Sequence, residues 1–104
     1  MGFHRKWFRW RAVRDDSGYE VAFVGMDRRA RKVKYSDGKR SITVAGEPVK
    51  VSEKRWGLHF ALQDRYLGKW DDGSETTHEE RETVRNRFRG ALEYMRVRYT
   101  LDSK

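Results

Sequence analysis

From Phe3 to Val13, the apolar residues Phe3, Trp7, Phe8, Trp10, Ala12 and Val13 are interleaved with Arg5, Lys6, Arg9 and Arg11, and Asp15-Asp16-Ser17-Gly18 then breaks the run. This pattern predicts a strand, a turn and a returning strand over residues 19–24. On the first strand Phe8, Trp10 and Ala12 share one face, and Arg5, Trp7, Arg9 and Arg11 share the other. Residues 25–30 are a polar connection with room for a bulge. A second hairpin follows, with strands over 31–35 and 40–45 around Ser36-Asp37-Gly38, and the Asp-Gly pair is its signal. Gly46-Glu47-Pro48 is expected to end that strand.

Residues 50–56 are too polar to assign. Leu58, Phe60 and Leu62 alternate with His59 and Ala61, as a half-buried strand requires. Tyr66-Leu67 and Trp70 add apolar bulk before a turn at Asp71-Asp72-Gly73-Ser74. Thr77 followed by Glu80 forms a capping box, which opens a helix over 78–94. Val84, Phe88, Leu92 and Met95 recur on one face of that helix. Val97, Tyr99 and Leu101 then alternate with Arg96, Arg98 and Thr100 as a short final strand. The expected architecture is α+β, an antiparallel sheet of five or six strands with one helix from the C-terminal half packed on one face.

The 104 residues amount to one domain, 1–104, with no repeat or linker. Charged residues reach 38% and hydrophobic ones only 37%, yet four Trp, five Tyr and five Phe supply a core that disordered chains lack. The absence of cysteine excludes a disulfide framework and a thiolate nucleophile, which gives the cytoplasm as the expected compartment. Apolar runs stop at four or five residues, so neither a membrane span nor a signal-peptide core is expected.

Lys and Arg exceed Asp and Glu by 24 to 16, a net charge of +8. The basic excess lies in residues 1–52, which carry 13 cationic and 6 anionic side chains. Residues 71–82 are the opposite, with Asp71, Asp72, Glu75, Glu79, Glu80 and Glu82 against Arg81 alone. Carboxylates in a first helical turn stabilise the positive helix end, which by itself explains Glu79, Glu80 and Glu82. The same cluster also forms a surface suited to a cationic partner.

His4, His59 and His78 stand too far apart for metal-ligand spacing, so no metal site and no cofactor are expected. His59 is placed to line a pocket, but one imidazole is no site. No phosphate-loop, nucleophile-elbow or zinc-protease motif occurs, which makes a non-enzymatic protein the expectation. Asp71 and Asp72 read either as a carboxylate pair or, more simply, as turn residues bonding their own backbone. Arg5, Trp7, Arg9 and Arg11 on one strand face combine cations for phosphates with a ring for base stacking, as single-stranded nucleic-acid binding requires. They equally suit an edge strand that uses charge to resist aggregation.

The order Tyr35-Ser36-Asp37-Gly38-Lys39-Arg40-Ser41-Ile42-Thr43-Val44-Ala45-Gly46-Glu47, then Trp70-Asp71-Asp72-Gly73, Thr77-His78-Glu79-Glu80 and Ala91-Leu92-Glu93-Tyr94-Met95, resembles a small bacterial family. It is similar to the predicted immunity proteins of polymorphic-toxin and polyimmunity loci, α+β proteins marked by a tryptophan and a Gly-Glu pair. The likeness spans residues 33–101. It implies a stoichiometric binder that neutralises a cognate toxin domain without catalysis, and the short apolar runs give no expectation of a membrane partner. By that analogy Glu47 and Trp70 carry the family pattern, as toxin contacts or as structural residues. Asp71, Asp72, Glu79 and Glu80 are the acidic contacts to set beside them. Binding of nucleic acid through Arg5, Trp7, Arg9 and Arg11 is the alternative.

Overall fold

The computed structural model describes residues 3–5, 12–27, 30–38 and 40–102. Among them the strands β1 (Phe3–Arg5), β2 (Ala12–Asp15), β3 (Glu20–Asp27), β4 (Ala30–Asp37), β5 (Arg40–Ser52), β6 (Arg55–Ala61) and β7 (Tyr99–Asp102) form one sheet in chain order, and α1 (His78–Tyr94) is the helix. The class is α+β, and the helix has the bounds predicted from its cap and its period.

The first departure from expectation is at the N-terminus. Phe3 lies opposite Asp15 and Arg5 opposite Val13 in an antiparallel ladder, so the stretch read as one strand over 3–13 is two strands running in opposite directions. Arg5 is on β1, and Trp7, Arg9 and Arg11 lie outside the described residues. This splitting takes the sheet to seven strands instead of five or six.

The turns follow local chemistry. Asp15 accepts hydrogen bonds from the Ser17 amide at 2.9 Å and from the Ser17 hydroxyl, and Gly18 takes φ +100°, a conformation costly to residues with a Cβ. The β4–β5 hairpin turns at Gly38, as the Asp-Gly signal predicts. Within β3 the register shifts between Phe23 and Gly25, so the bulge lies at Val24, inside the strand and ahead of the expected connection.

β5 runs through Gly46-Glu47-Pro48, which was expected to end it. Its first half pairs with β4 and its second half with β6, and Gly46 belongs to both ladders, opposite Arg31 and opposite Phe60. Pro48 is tolerated because that half has a strand neighbour on one side only. Gly46 has a packing reason: a Cβ there would lie 2.5 Å from Phe60 Cε1. Gly46→Ala is expected to cost about 1–3 kcal/mol by overpacking; an unchanged urea midpoint would show that the ring yields freely.

The last pairing, β6 with β7, is parallel. Parallel neighbours need a crossover, and the segment from Leu62 through α1 supplies it. Helix and sheet enclose the core. On the sheet, Val13, Val21, Tyr35 and Ile42 form one cross-strand row and Val33 with Val44 the next. Leu58 and Phe60 extend the layer. Val84, Phe88, Ala91 and Leu92 of α1 and its C-cap Met95 pack onto it, all buried. Phe88 meets Phe60 edge-on, with ring centroids 5.2 Å apart.

The helix begins at the predicted capping box, with Thr77 Oγ1 accepting from the Glu80 amide at 3.1 Å and Glu80 Oε1 accepting from the Thr77 amide at 2.8 Å. It ends with Val97 N–H bonded to Leu92 O and Arg96 N–H to Glu93 O, the paired bonds of a Schellman closure. The left-handed residue of that closure is Arg96, at φ 59°. No helix among the described residues is long and apolar enough to cross a membrane.

Candidate functional site

The acidic residues singled out by sequence occupy different roles. Asp71 works as a piece of strand. Beside the first half of β5, where β6 gives no pairing, the Asp71 amide donates to Ser41 O at 2.8 Å. Its carboxylate accepts from the Thr43 amide at 3.1 Å, the Thr43 hydroxyl at 2.8 Å and the Ser41 hydroxyl at 3.1 Å. Backbone groups that a neighbouring strand would satisfy are satisfied by one side chain. Asp72 accepts from the amide and hydroxyl of Ser74 at 2.8 and 2.6 Å, the turn role of an aspartate. Glu80 is engaged in the cap and also accepts from Arg40 at 2.6 Å. Glu79 is exposed in the first turn of α1.

Trp70 is buried. Its ring stacks on Tyr35 with centroids 6.4 Å apart, and the Arg40 guanidinium lies 4.4 Å above it. Tyr35 in turn donates its hydroxyl to Asp37 at 2.9 Å and accepts from Arg87 at 3.0 Å. Arg85, also buried, donates to Leu62 O at 2.7 Å and to Asp64 and Glu82, which fixes the crossover segment to the helix.

These bonds move the titrations. Hydrogen bonds from Ser17 hold Asp15 below the ordinary carboxylate range, those from Ser74 do so for Asp72, and the Arg85 guanidinium does so for Asp64. The Thr77 amide, then Arg40, lowers Glu80. A carboxylate lowered on folding stabilises the fold above its unfolded pKa, and that contribution is lost as pH falls through the folded value. Burial pushes Tyr35 and Tyr99 up to about 12, so their contribution is present below about 10 and lost as pH rises toward 12. The urea midpoint is therefore expected to be level between about pH 5 and 9 and to fall on both sides. A midpoint that stays level down to about pH 2.5 would show that these carboxylates do not couple to folding.

Glu47 is the exposed member of the Gly-Glu pair. It lies opposite His59 across β5 and β6, and His59 lies opposite Thr100. The row projects from the sheet face opposite α1, because Gly46 and Phe60, one position along, face the helix. Here a cleft of about 410 Å³ is lined by Thr43, Glu47, His59, Tyr66 and Asp102 among others. His59 Nδ1 is 2.7 Å from Thr100 Oγ1, and its Nε2 is 3.2 Å from Asp102 Oδ2. Hydroxyl, imidazole and carboxylate in that order can activate a nucleophile. The Asp102 side chain is 60% exposed, however. Water competes for each of these bonds on the open face, and the set suits recognition better than attack. No group of three or more metal-ligating side chains occurs among the described residues.

The sequence reading left Trp56 unassigned. It alternates with Leu58 and Phe60 and so faces the helix side, but it is 59% exposed. A large aromatic within the polar run 50–56 was the available signal. Comparison with protein-family models, with curated proteins and with solved structures gives no match to this chain.

Proposed function

We propose that the protein is a non-enzymatic binder of the immunity type, which holds a cognate toxin domain stoichiometrically in the cytoplasm of the cell that makes both. The observation that carries this reading is the position of Glu47, exposed beside the cleft on the open sheet face. Gly46 is held under the Phe60 ring, and this fixes the backbone from which Glu47 projects. Trp70, the other residue of the family pattern, serves the core. Since Asp71, Asp72 and Glu80 are engaged within the fold, Glu47 is the carboxylate offered to a cationic partner, with Asp102, which also meets His59, beside it on the open face and Glu79 at the helix start.

The test is co-expression with a toxin domain encoded beside this chain. Protection by the unaltered protein and its loss in Glu47→Arg, at unchanged melting temperature, is the expected result. A reversed charge at a steering position also slows association at low salt. Full protection by both Glu47→Arg and Asp102→Arg would remove the open face from the interface.

A further inference from the structure

On the helix side of the sheet, beyond the end of α1, a second cleft of about 380 Å³ is lined by Arg31, Pro48, Trp56, Leu58, Arg96 and Arg98 among others. Its volume lies within the range of small-ligand sites. Arg31, Arg96 and Arg98 are three of its lining residues, and no carboxylate is among them. None of the three makes an ion pair or side-chain hydrogen bond with another described residue. Like charges gathered without counter-charge attract an anion. Trp56 presents its ring to solvent, and Lys50 Nζ stands 5.8 Å from the ring centre. Arg96 occupies the left-handed position of the Schellman closure, where glycine is usual. A cation complements the negative helix end, but this does not explain why Arg96 shares one cleft with Arg31, Arg98 and an exposed tryptophan.

We infer that this cleft binds single-stranded nucleic acid, with one base stacked on Trp56 and its flanking phosphates held by Arg31, Arg96 and Arg98. An exposed ring beside cations is the combination that binds unpaired bases. In a duplex the bases are already stacked and do not reach the ring. An acidic peptide would satisfy the arginines and leave Trp56 in water. The site is on the sheet face opposite Glu47 and does not rest on the immunity reading.

The experiment is anisotropy titration of a labelled oligothymidylate of about ten nucleotides, a length within the site range of single-strand binders, at two salt concentrations. Binding by the unaltered protein should weaken as salt rises. Trp56→Ala should lower affinity about 5- to 150-fold, the loss of one base stack, with an unchanged melting temperature and salt slope. Trp56→Phe should restore most of the affinity. Arg98→Gln should reduce the slope of log affinity against log salt by about 0.7. Undiminished affinity in Trp56→Ala overturns the proposal. So does an absence of binding at low salt, or inorganic polyphosphate or polyglutamate binding as tightly as the oligonucleotide.

Discussion

Replacing Phe88 by alanine is expected to lower the free energy of unfolding by about 3–5 kcal/mol, a large part of the roughly 5–15 kcal/mol that holds a domain folded. Phe88 is 1% exposed and supports Phe60 edge-on, while Phe60 covers Gly46. Truncation thus removes the helix's largest apolar contact and leaves a cavity against a ring that cannot slide inward without leaving Gly46. Urea denaturation followed by far-UV circular dichroism measures the effect as a lower midpoint at constant slope. A midpoint within experimental error of the unaltered protein would place Phe88 outside the core.

Trp70→Ala is expected to cost about 3–5 kcal/mol, although the resemblance read from the sequence offered this residue as a partner contact. The indole fills the space between Tyr35 and Arg40, and Arg40 also reaches Glu80 in the helix cap. Its removal opens a cavity and frees the arginine that joins β5 to the start of α1. Trp70→Phe should cost much less and should protect against a toxin as well as the unaltered protein does. Protection lost in Trp70→Phe at unchanged stability would assign Trp70 to the interface.

Where the chain's local chemistry agrees with its tertiary contacts, the sequence is readable. Thr77 with Glu80 starts the helix, Val84, Phe88, Leu92 and the C-cap Met95 form the helix's buried face, and Gly38 turns the β4–β5 hairpin. The reading fails where a distant partner overrides local preference. Gly46 and Pro48 are strand breakers in isolation, but Phe60 closing over Gly46 and a single strand neighbour beside Pro48 keep β5 extended. The aromatic and basic run at the N-terminus alternates like one strand, and only the pairing of Phe3 with Asp15 reveals two.

The candidate site was legible only in part. Glu47 was singled out by the family resemblance, as a contact or a structural residue, and its side chain is exposed. The turn role of Asp72 and the capping role of Glu80 were legible from Ser74 and Thr77 close by in the chain, whereas the reach of Asp71 to Ser41 and Thr43 depends on a tertiary contact that neither charge nor spacing reveals. Trp56 escaped because its exposure depends on where a helix almost forty residues later stops.

β5 is 13 residues long, about 40 Å of extended chain, close to the 39 Å longest dimension of the molecule. It is shared by the β4 and β6 ladders, so neither neighbour can detach without exposing the strand that supports the other. The sheet interior should therefore open as one cooperative unit. Amides in the middle of β5 should exchange with solvent only through global unfolding, while those of the border strands β1 and β7 exchange by local fraying. The protein would then tolerate substitutions along its borders yet respond to damage anywhere along β5 as a whole.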